Sequence, residues 1–310
     1  MTVDGVVGRV AGISRPRRSA TTGGIRSGRY ALLYLSPALL IFIAFTIGPA
    51  LFVLYISLFD WNLLNSSLSH YVGLANYRKT FTSHDFWHSI WMSAYFVGGT
   101  VGIGTVLGLG IALLLSSAGI VRRIVRLAVF TPYFTPLVAT SIVWVWIFNP
   151  QFGLLDSLLR LLHLPMVGWL QSTTWAMPAV IVYTLWHNLG FTVIIFLAGL
   201  STVSSELREA ARVDGASYWH EVRDVVLPAL TQTTLFVIVI TTIDSLQAFT
   251  QIYTMTQGGP LGATTTTGFL LYQESFVFYR TGFGAAIAVV LFVVIALFTL
   301  LQLRLSRRPA

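Results

Sequence analysis

TGFGAAIAVVLFVVIALFTLLQL, residues 281–303, runs for 23 positions without a charged side chain. A helix needs about 20 apolar residues to cross the hydrocarbon core of a bilayer, and this stretch supplies them. Five more charge-poor runs precede it, at 31–59, 89–121, 127–155, 161–205 and 225–273, the last interrupted by Asp244 alone. Trimming their polar, proline-rich and glycine-rich ends leaves helices near 31–59, 90–116, 125–148, 176–200, 229–251 and 283–303. The surplus of the fourth and fifth runs, Gln171-Ser-Thr-Thr174 and 256–267, has loop composition. None of the runs alternates with period two, so a membrane barrel is excluded. The expectation is an all-α integral membrane protein with six transmembrane helices.

Composition agrees. Of 310 residues, 55% are apolar and only 10% charged, with a mean hydropathy of +0.76. An average soluble domain carries about 25% charged residues, so this chain cannot cover a water-facing surface. Disordered and collagen-like classes fall with the same numbers. Cysteine is absent, which excludes disulfide scaffolds, iron–sulfur clusters and Cys-ligated zinc.

The basic residues set the expected orientation. With both termini cytoplasmic, fifteen of the 19 lie inside, from Arg9 through Arg122, Arg123, Arg126, Arg208, Arg212 and Arg223 to Arg308. Four lie outside: Arg78, Lys79, Arg160 and Arg280. The positive-inside rule selects this arrangement and accounts for the net charge of +8 without nucleic acid. The first apolar run is too long for a signal-peptide core and reads as an uncleaved anchor. The preceding residues, 1–29, read as a disordered basic tail facing lipid.

Few groups carry chemistry. No G-x-x-x-x-G-K-[ST] phosphate cradle exists, and the sole lysine is Lys79, so the chain has no nucleotide site of that type. Catalytic residues, metal ligands and cofactors are not expected. His84 and His88 share the i, i+4 spacing of a zinc helix, but Asp85 and a missing third ligand favour an interfacial segment anchored by Trp87 and Trp91. Gly98, Gly102, Gly104 and Gly108 form small-xxx-small patterns suited to close helix packing. Pro132 and Pro136 stand near the start of the third helix.

Asp244 is the most informative single residue. An ionisable group at mid-membrane costs about 2.5–3.5 kcal/mol on insertion scales and marks a pathway by default. Gln247 and Gln251 follow at helical spacing, and His187-Asn188 beside Trp186 forms a second polar patch on the fourth helix. Asp244, Gln247, Gln251, Trp186 and Asn188 are the candidate translocation path, and His187 reads equally as a packed core residue. A proton-coupled carrier or a channel could also use Asp244.

Segment 201–228 differs from every other loop, with eight of the 30 charged residues. Leu207, Ala210 and Ala211 at i, i+3, i+4 predict a short amphipathic helix over 205–214, capped by Ser204 or Ser205. Gly215 should then end it in a left-handed turn. Ser217 should cap a second short helix reaching Asp224. Asp214, Leu227 and Pro228 complete the candidate set.

Glu209-Ala210-Ala211-x3-Gly215-x9-Val225-x-Leu227-Pro228 resembles the EAA loop of bacterial ABC importer permeases, with Val225 where that pattern usually has Ile. Ser36-Pro37-Ala38, Gly73-Leu-Ala-Asn-Tyr77, Trp146-Ile-Phe-Asn-Pro150-Gln-Phe-Gly-Leu-Leu155, Leu197-Ala-Gly-Leu200 and Thr254-Met-Thr-Gln-Gly-Gly-Pro260 look like the maltose and glycerol-phosphate branch. The resemblance implies a permease domain over 30–305 in the bacterial inner membrane, with 201–228 as its cytoplasmic coupling loop between helices four and five. It further implies a second, homologous permease chain, two copies of a cytoplasmic ATPase that meet the EAA helix, and an extracytoplasmic solute-binding protein. A sugar or sn-glycerol-3-phosphate is the implied solute.

Overall fold

The computed structural model describes residues 26–306 apart from 64 and 118. The chain divides into two units, Met1–Leu51 and Phe52–Ala310. The basic tail expected over 1–29 lies outside the described residues except for 26–29, which open the first helix. In the first unit, α1 (Arg26–Phe42) passes through one π-helical turn, Ile43–Ile47, into the start of α2 (Gly48–Ile56). Pro49 gives the reason. It offers no N–H to Phe45 four residues back, so the ladder widens and the Gly48 N–H reaches five residues to Ile43. Every described side chain from Tyr34 to Leu51 is exposed.

The second unit begins with a two-residue antiparallel ladder, β1 (Phe59–Asp60) on β2 (His70–Tyr71), the one departure from an all-helical expectation among the described residues. Then come α3 (Ala75–Thr82), α4 (His84–Val97), a π turn at Gly98–Ile103, and α5 (Gly104–Leu115). α6 (Ile120–Phe130), α7 (Leu137–Ile147), α8 (Leu154–Leu161) and α9 (Ala176–Ser201) follow. Two short helices, α10 (Ser205–Val213) and α11 (Tyr218–Glu221), lead through a π turn at Val222–Val226 to α12 (Leu227–Ala229) and α13 (Thr231–Leu246). The chain closes with α14 (Thr250–Met255), α15 (Thr267–Tyr272) and α16 (Thr281–Ser306).

Four helices are long and apolar enough to cross a membrane: Tyr34–Ile56, His84–Leu115, Ala176–Ser201 and Thr281–Arg304. Two bent pairs bring the total to six if each is one span. The third expected helix, 125–148, is not straight: Ile120–Phe134 and Leu137–Ile147 meet at 104°. Pro136 causes this elbow. A proline disfavours the helical conformation of its predecessor, and Thr135 is extended at φ −81°, ψ 146°. The fifth, expected over 229–251, is bent by 66° between Tyr218–Ala229 and Thr231–Leu246 and ends at Leu246. There the Ala248 carbonyl takes the Thr266 hydroxyl at 3.3 Å, and α14 starts afresh.

α9 is the axis of this unit. Phe96, Phe148, Met177, Val180, Tyr183 and Ile252 pack about one end of it, and Ala112, Val193, Phe196, Val226 and Leu230 about the other. α5 lies close against it, because a Cβ at Gly108 would overlap Thr192 and one at Gly104 would press on Leu185. Gly98 and Gly102, expected on the same stripe, have nothing within 4 Å, and Gly99 meets Ile181 instead. The π turn inserts an extra residue between Gly99 and Gly104, so the facing positions step by five rather than four.

Candidate functional site

Polar groups from α9 and from the α13–α14 break converge on one concavity of about 260 Å³. Thr184, His187 and Asn188 supply one wall, and Asp244, Gln247 and Gln251 the other. The break matters here. A continuous helix would put Asp244, Gln247 and Gln251 in a straight stripe, whereas the interruption at 247–249 turns Gln251 inward, where it is buried while Asp244 and Gln247 stay exposed. Among the described residues none of these three makes a side-chain hydrogen bond or ion pair, so their donors and acceptors face the cavity unspent. Thr184 and Asn188 also line a smaller hollow of about 20 Å³ with Thr100, Thr192, Thr241 and Ser245, room for about one water.

His187 has a defined place. Its Nε2 lies 3.2 Å from the Thr135 carbonyl and its Nδ1 2.9 Å from the Asn188 amide oxygen. A carbonyl can only accept, so Nε2 donates to it, and the ring ties α9 to the elbow before α7. Trp186 does not join the cavity. It stands 39% exposed, with its ring 5.4 Å from Trp144 and 6.4 Å from Tyr183.

The second candidate region is 201–228. Ser204 caps α10, its hydroxyl accepting from the Leu207 N–H. At the other end Gly215 adopts φ +83°, the Gly215 N–H reaches Arg212, and the Ala216 N–H reaches Ala211 at 2.9 Å. That pair of bonds is a Schellman closure, which satisfies two carbonyls the helix would otherwise leave open. The second helix reaches Asp224 and runs on past it, α11 continuing through the π turn to Ala229, and Ser217 bonds the His220 ring at 2.7 Å instead of a backbone N–H.

The surprise in this segment is Glu221, 2% exposed. Arg208 Nε donates to one carboxylate oxygen at 2.6 Å and Arg212 Nε to the other at 2.8 Å. The Arg212 hydrogen bond is the main influence holding the Glu221 carboxyl below its ordinary value, against an opposing push from burial and with help from Arg208. Both arginines are thereby committed, and Glu209 forms no hydrogen bond or ion pair among the described residues. Elsewhere in the segment Leu207, Val213 and Trp219 are 60%, 86% and 75% exposed. Ala210, Asp214, Leu227 and Pro228 are exposed and Ala211 half-buried. Sequence spacing misses Glu221 because its partners lie 9 and 13 residues away. It misses Asp156 for a like reason. That carboxylate is fully buried, accepting the Val167 N–H at 2.9 Å.

The loop after α14 is tightly bonded. The Thr264 hydroxyl pairs with Thr256 at 2.7 Å and the Gly259 carbonyl at 2.8 Å, and His88 Nε2 meets the Gly262 carbonyl at 3.0 Å. Leu261, at its tip, is 95% exposed. His88 is thus engaged with the backbone, and no cluster of three metal-ligating side chains occurs among the described residues. The Gly73–Tyr77 motif also bonds locally: Asn76 Nδ2 donates to the Ser57 and Phe59 carbonyls at 2.9 Å.

Residues 104–310 match the family model of the binding-protein-dependent transport system inner membrane component. The chain belongs to that family. The match takes in α5 to α16, including the polar cavity and segment 201–228. Similar proteins include the trehalose/maltose transport system permease protein MalF of Thermococcus litoralis, 31% identical over 91% of this chain and 95% of the relative. The sulfoquinovosyl glycerol transport system permease protein SmoG of Agrobacterium fabrum is 31% identical over 89% and 90%. A solved structure of a bacterial alginate ABC transporter, in complex with an alginate-bound periplasmic protein, superposes with a TM-score of 0.81 over 92% of this chain and 96% of that one, at 22% identity; it supports the fold. The chain is accordingly an inner-membrane permease subunit of a binding-protein-dependent importer, and members of this family are not themselves enzymes.

Proposed function

We propose that this permease passes a carbohydrate-type solute, a sugar or sn-glycerol-3-phosphate, along the cavity between Thr184, Asn188, Asp244, Gln247 and Gln251. The observation that carries the reading is the pair of uncommitted amides, Gln247 and Gln251, and the Asp244 carboxylate gathered on one hollow. Side chains of that kind can exchange hydrogen bonds with hydroxyl groups, and Asp244 is the one charged group lining the hollow. A polyhydroxylated neutral solute fits that wall better than an anion. The names of MalF and SmoG, which include trehalose/maltose and sulfoquinovosyl glycerol, point to solutes of the same type.

Energy comes from elsewhere in the assembly. In this reading a separate cytoplasmic ATPase, present in two copies, seats on α10 and α11 through Leu207, Val213, Trp219 and the unpaired Glu209. A second permease chain completes the path, and a solute-binding protein delivers to the opposite face. Alternation of the cavity between the two faces follows from rocking of helices around it.

The test is Asp244→Ala in vesicles holding the whole assembly. A hydrogen bond to a charged group is worth about 1.5–3 kcal/mol, so uptake should fall by about tenfold or more. Assembly and ATP hydrolysis should persist. Failure to assemble would reassign Asp244 to bonding a neighbouring helix and remove it from the path.

A further inference from the structure

α6 is the most amphipathic element near the elbow, and none of its residues lines the polar cavity or belongs to segment 201–228. Its sequence, IVRRIVRLAVF, has no buried side chain, and Ile120, Ile124 and Leu127 are 70%, 59% and 62% exposed. A helix with a basic face and an apolar face lies in the membrane interface. Here the elbow of 104° turns it away from the line of α7.

A groove of about 460 Å³ runs between α6 and α9, with Leu127, Phe130, Ile194 and Leu197 on its walls and Arg123 and Arg126 at one end. Gly190 forms part of it, and the missing Cβ lets the backbone of Val129 and Phe130 press directly on α9. The two arginines also border a second hollow of about 420 Å³ that continues past Ser117 and Gly119. Arg126 is fixed there. Its Nε donates to the Leu115 carbonyl at 3.1 Å and its Nη2 to Leu115 and Ser117. Arg123 makes no side-chain hydrogen bond or ion pair among the described residues. No Asp or Glu lines either hollow.

We propose that this groove holds one anionic phospholipid, with its phosphate between Arg123 and Arg126 and an acyl chain along Leu127, Phe130, Ile194 and Leu197. Charge complementarity selects an anion, because two guanidinium groups face a space without a carboxylate. The apolar walls select a chain-bearing anion over a free one, since phosphate alone would leave them in water. The arginines sit on the side that the positive-inside bias assigns to the cytoplasm, whose leaflet carries the anionic lipids. An occupied groove would join α6 to α9 and brace the elbow into α7.

Native mass spectrometry of the full chain in mild detergent tests this, after exchange into equal amounts of phosphatidylglycerol and phosphatidylcholine with the same chains. The wild type should retain phosphatidylglycerol preferentially, and soluble glycerol phosphate should not displace it. A basic residue near an anionic surface is worth about 1 kcal/mol, so Arg123→Gln should cut the preference about fivefold. Arg123 is chosen because Arg126 also holds the end of α5. Ile194→Trp, which fills the groove from an exposed position and leaves both arginines, should abolish retention. Undiminished preference in either variant would overturn the proposal, as would displacement by glycerol phosphate. A photo-crosslinker at Leu197 that captures a second permease chain instead of lipid would overturn it as well.

Discussion

Arg208 and Arg212, one helical turn apart, converge on the buried carboxylate of Glu221. This contact folds α10 back on α11 and leaves Glu209 outward. The Glu221 carboxyl sits below its ordinary value of 4.5, so it stabilises the segment fully above that pH and loses the contribution as pH falls through the depressed folded value. Amide protection across α10, the exchange rate taken relative to its intrinsic value at each pH, should therefore be constant from pH 7 down to about 5 and should fall only below the ordinary carboxylate range. Glu221→Gln should remove about 1.5–3 kcal/mol, the range for hydrogen bonds to a charged group, and should speed that exchange at neutral pH. Unchanged exchange in this variant would mean that α10 is held by something else. The role of Gly215 is legible in the sequence, because a helix ending on glycine needs only local rules. That of Glu221 is not, since a buried ion pair depends on which of several acids the fold turns inward. Spacing along the chain offers Arg208 and Arg212 as partners for Glu209; the structure gives both to Glu221.

At the scale of elements, charge-free runs locate every candidate span, because the membrane criterion depends on length and composition. Where a helix breaks is harder to read. The π turn before Gly104 shifts which glycines face α9, Pro136 makes an elbow of what reads as a helix start, and α13 stops at Leu246, two residues before the Ala248 carbonyl that accepts the Thr266 hydroxyl. Each is a local change in backbone hydrogen bonding, and hydropathy is blind to it. The loop after α14 offers a direct check on topology. Thr264 lies in a stretch of exposed-loop composition yet is fully buried and bonded, whereas Leu261 is 95% exposed. Leu261→Cys should react with an impermeant thiol reagent from the extracytoplasmic side of intact cells, and Thr264→Cys should not. Labelling of Leu261→Cys only after permeabilisation would invert the orientation.

At the scale of the molecule, the permease carries a polar cavity about α9 in which Asp244, Gln247 and Gln251 are uncommitted and, in 201–228, an apolar and acidic surface with no cover of its own. The first asks for a solute and the second for a partner that supplies energy. The measurement that joins them is solute uptake into vesicles holding the complete assembly, with ATP on the α10 side and the solute-binding protein opposite, for the wild type and for Gly215→Val. At φ +83° a β-branched residue costs about 1–2 kcal/mol or more and turns α11 away from its place beside α10. Uptake should require both ATP and the binding protein, be indifferent to an imposed proton gradient, and be lost or uncoupled from hydrolysis in Gly215→Val. Uptake driven by a proton gradient without ATP, with Gly215→Val as active as the wild type, would contradict this coupling.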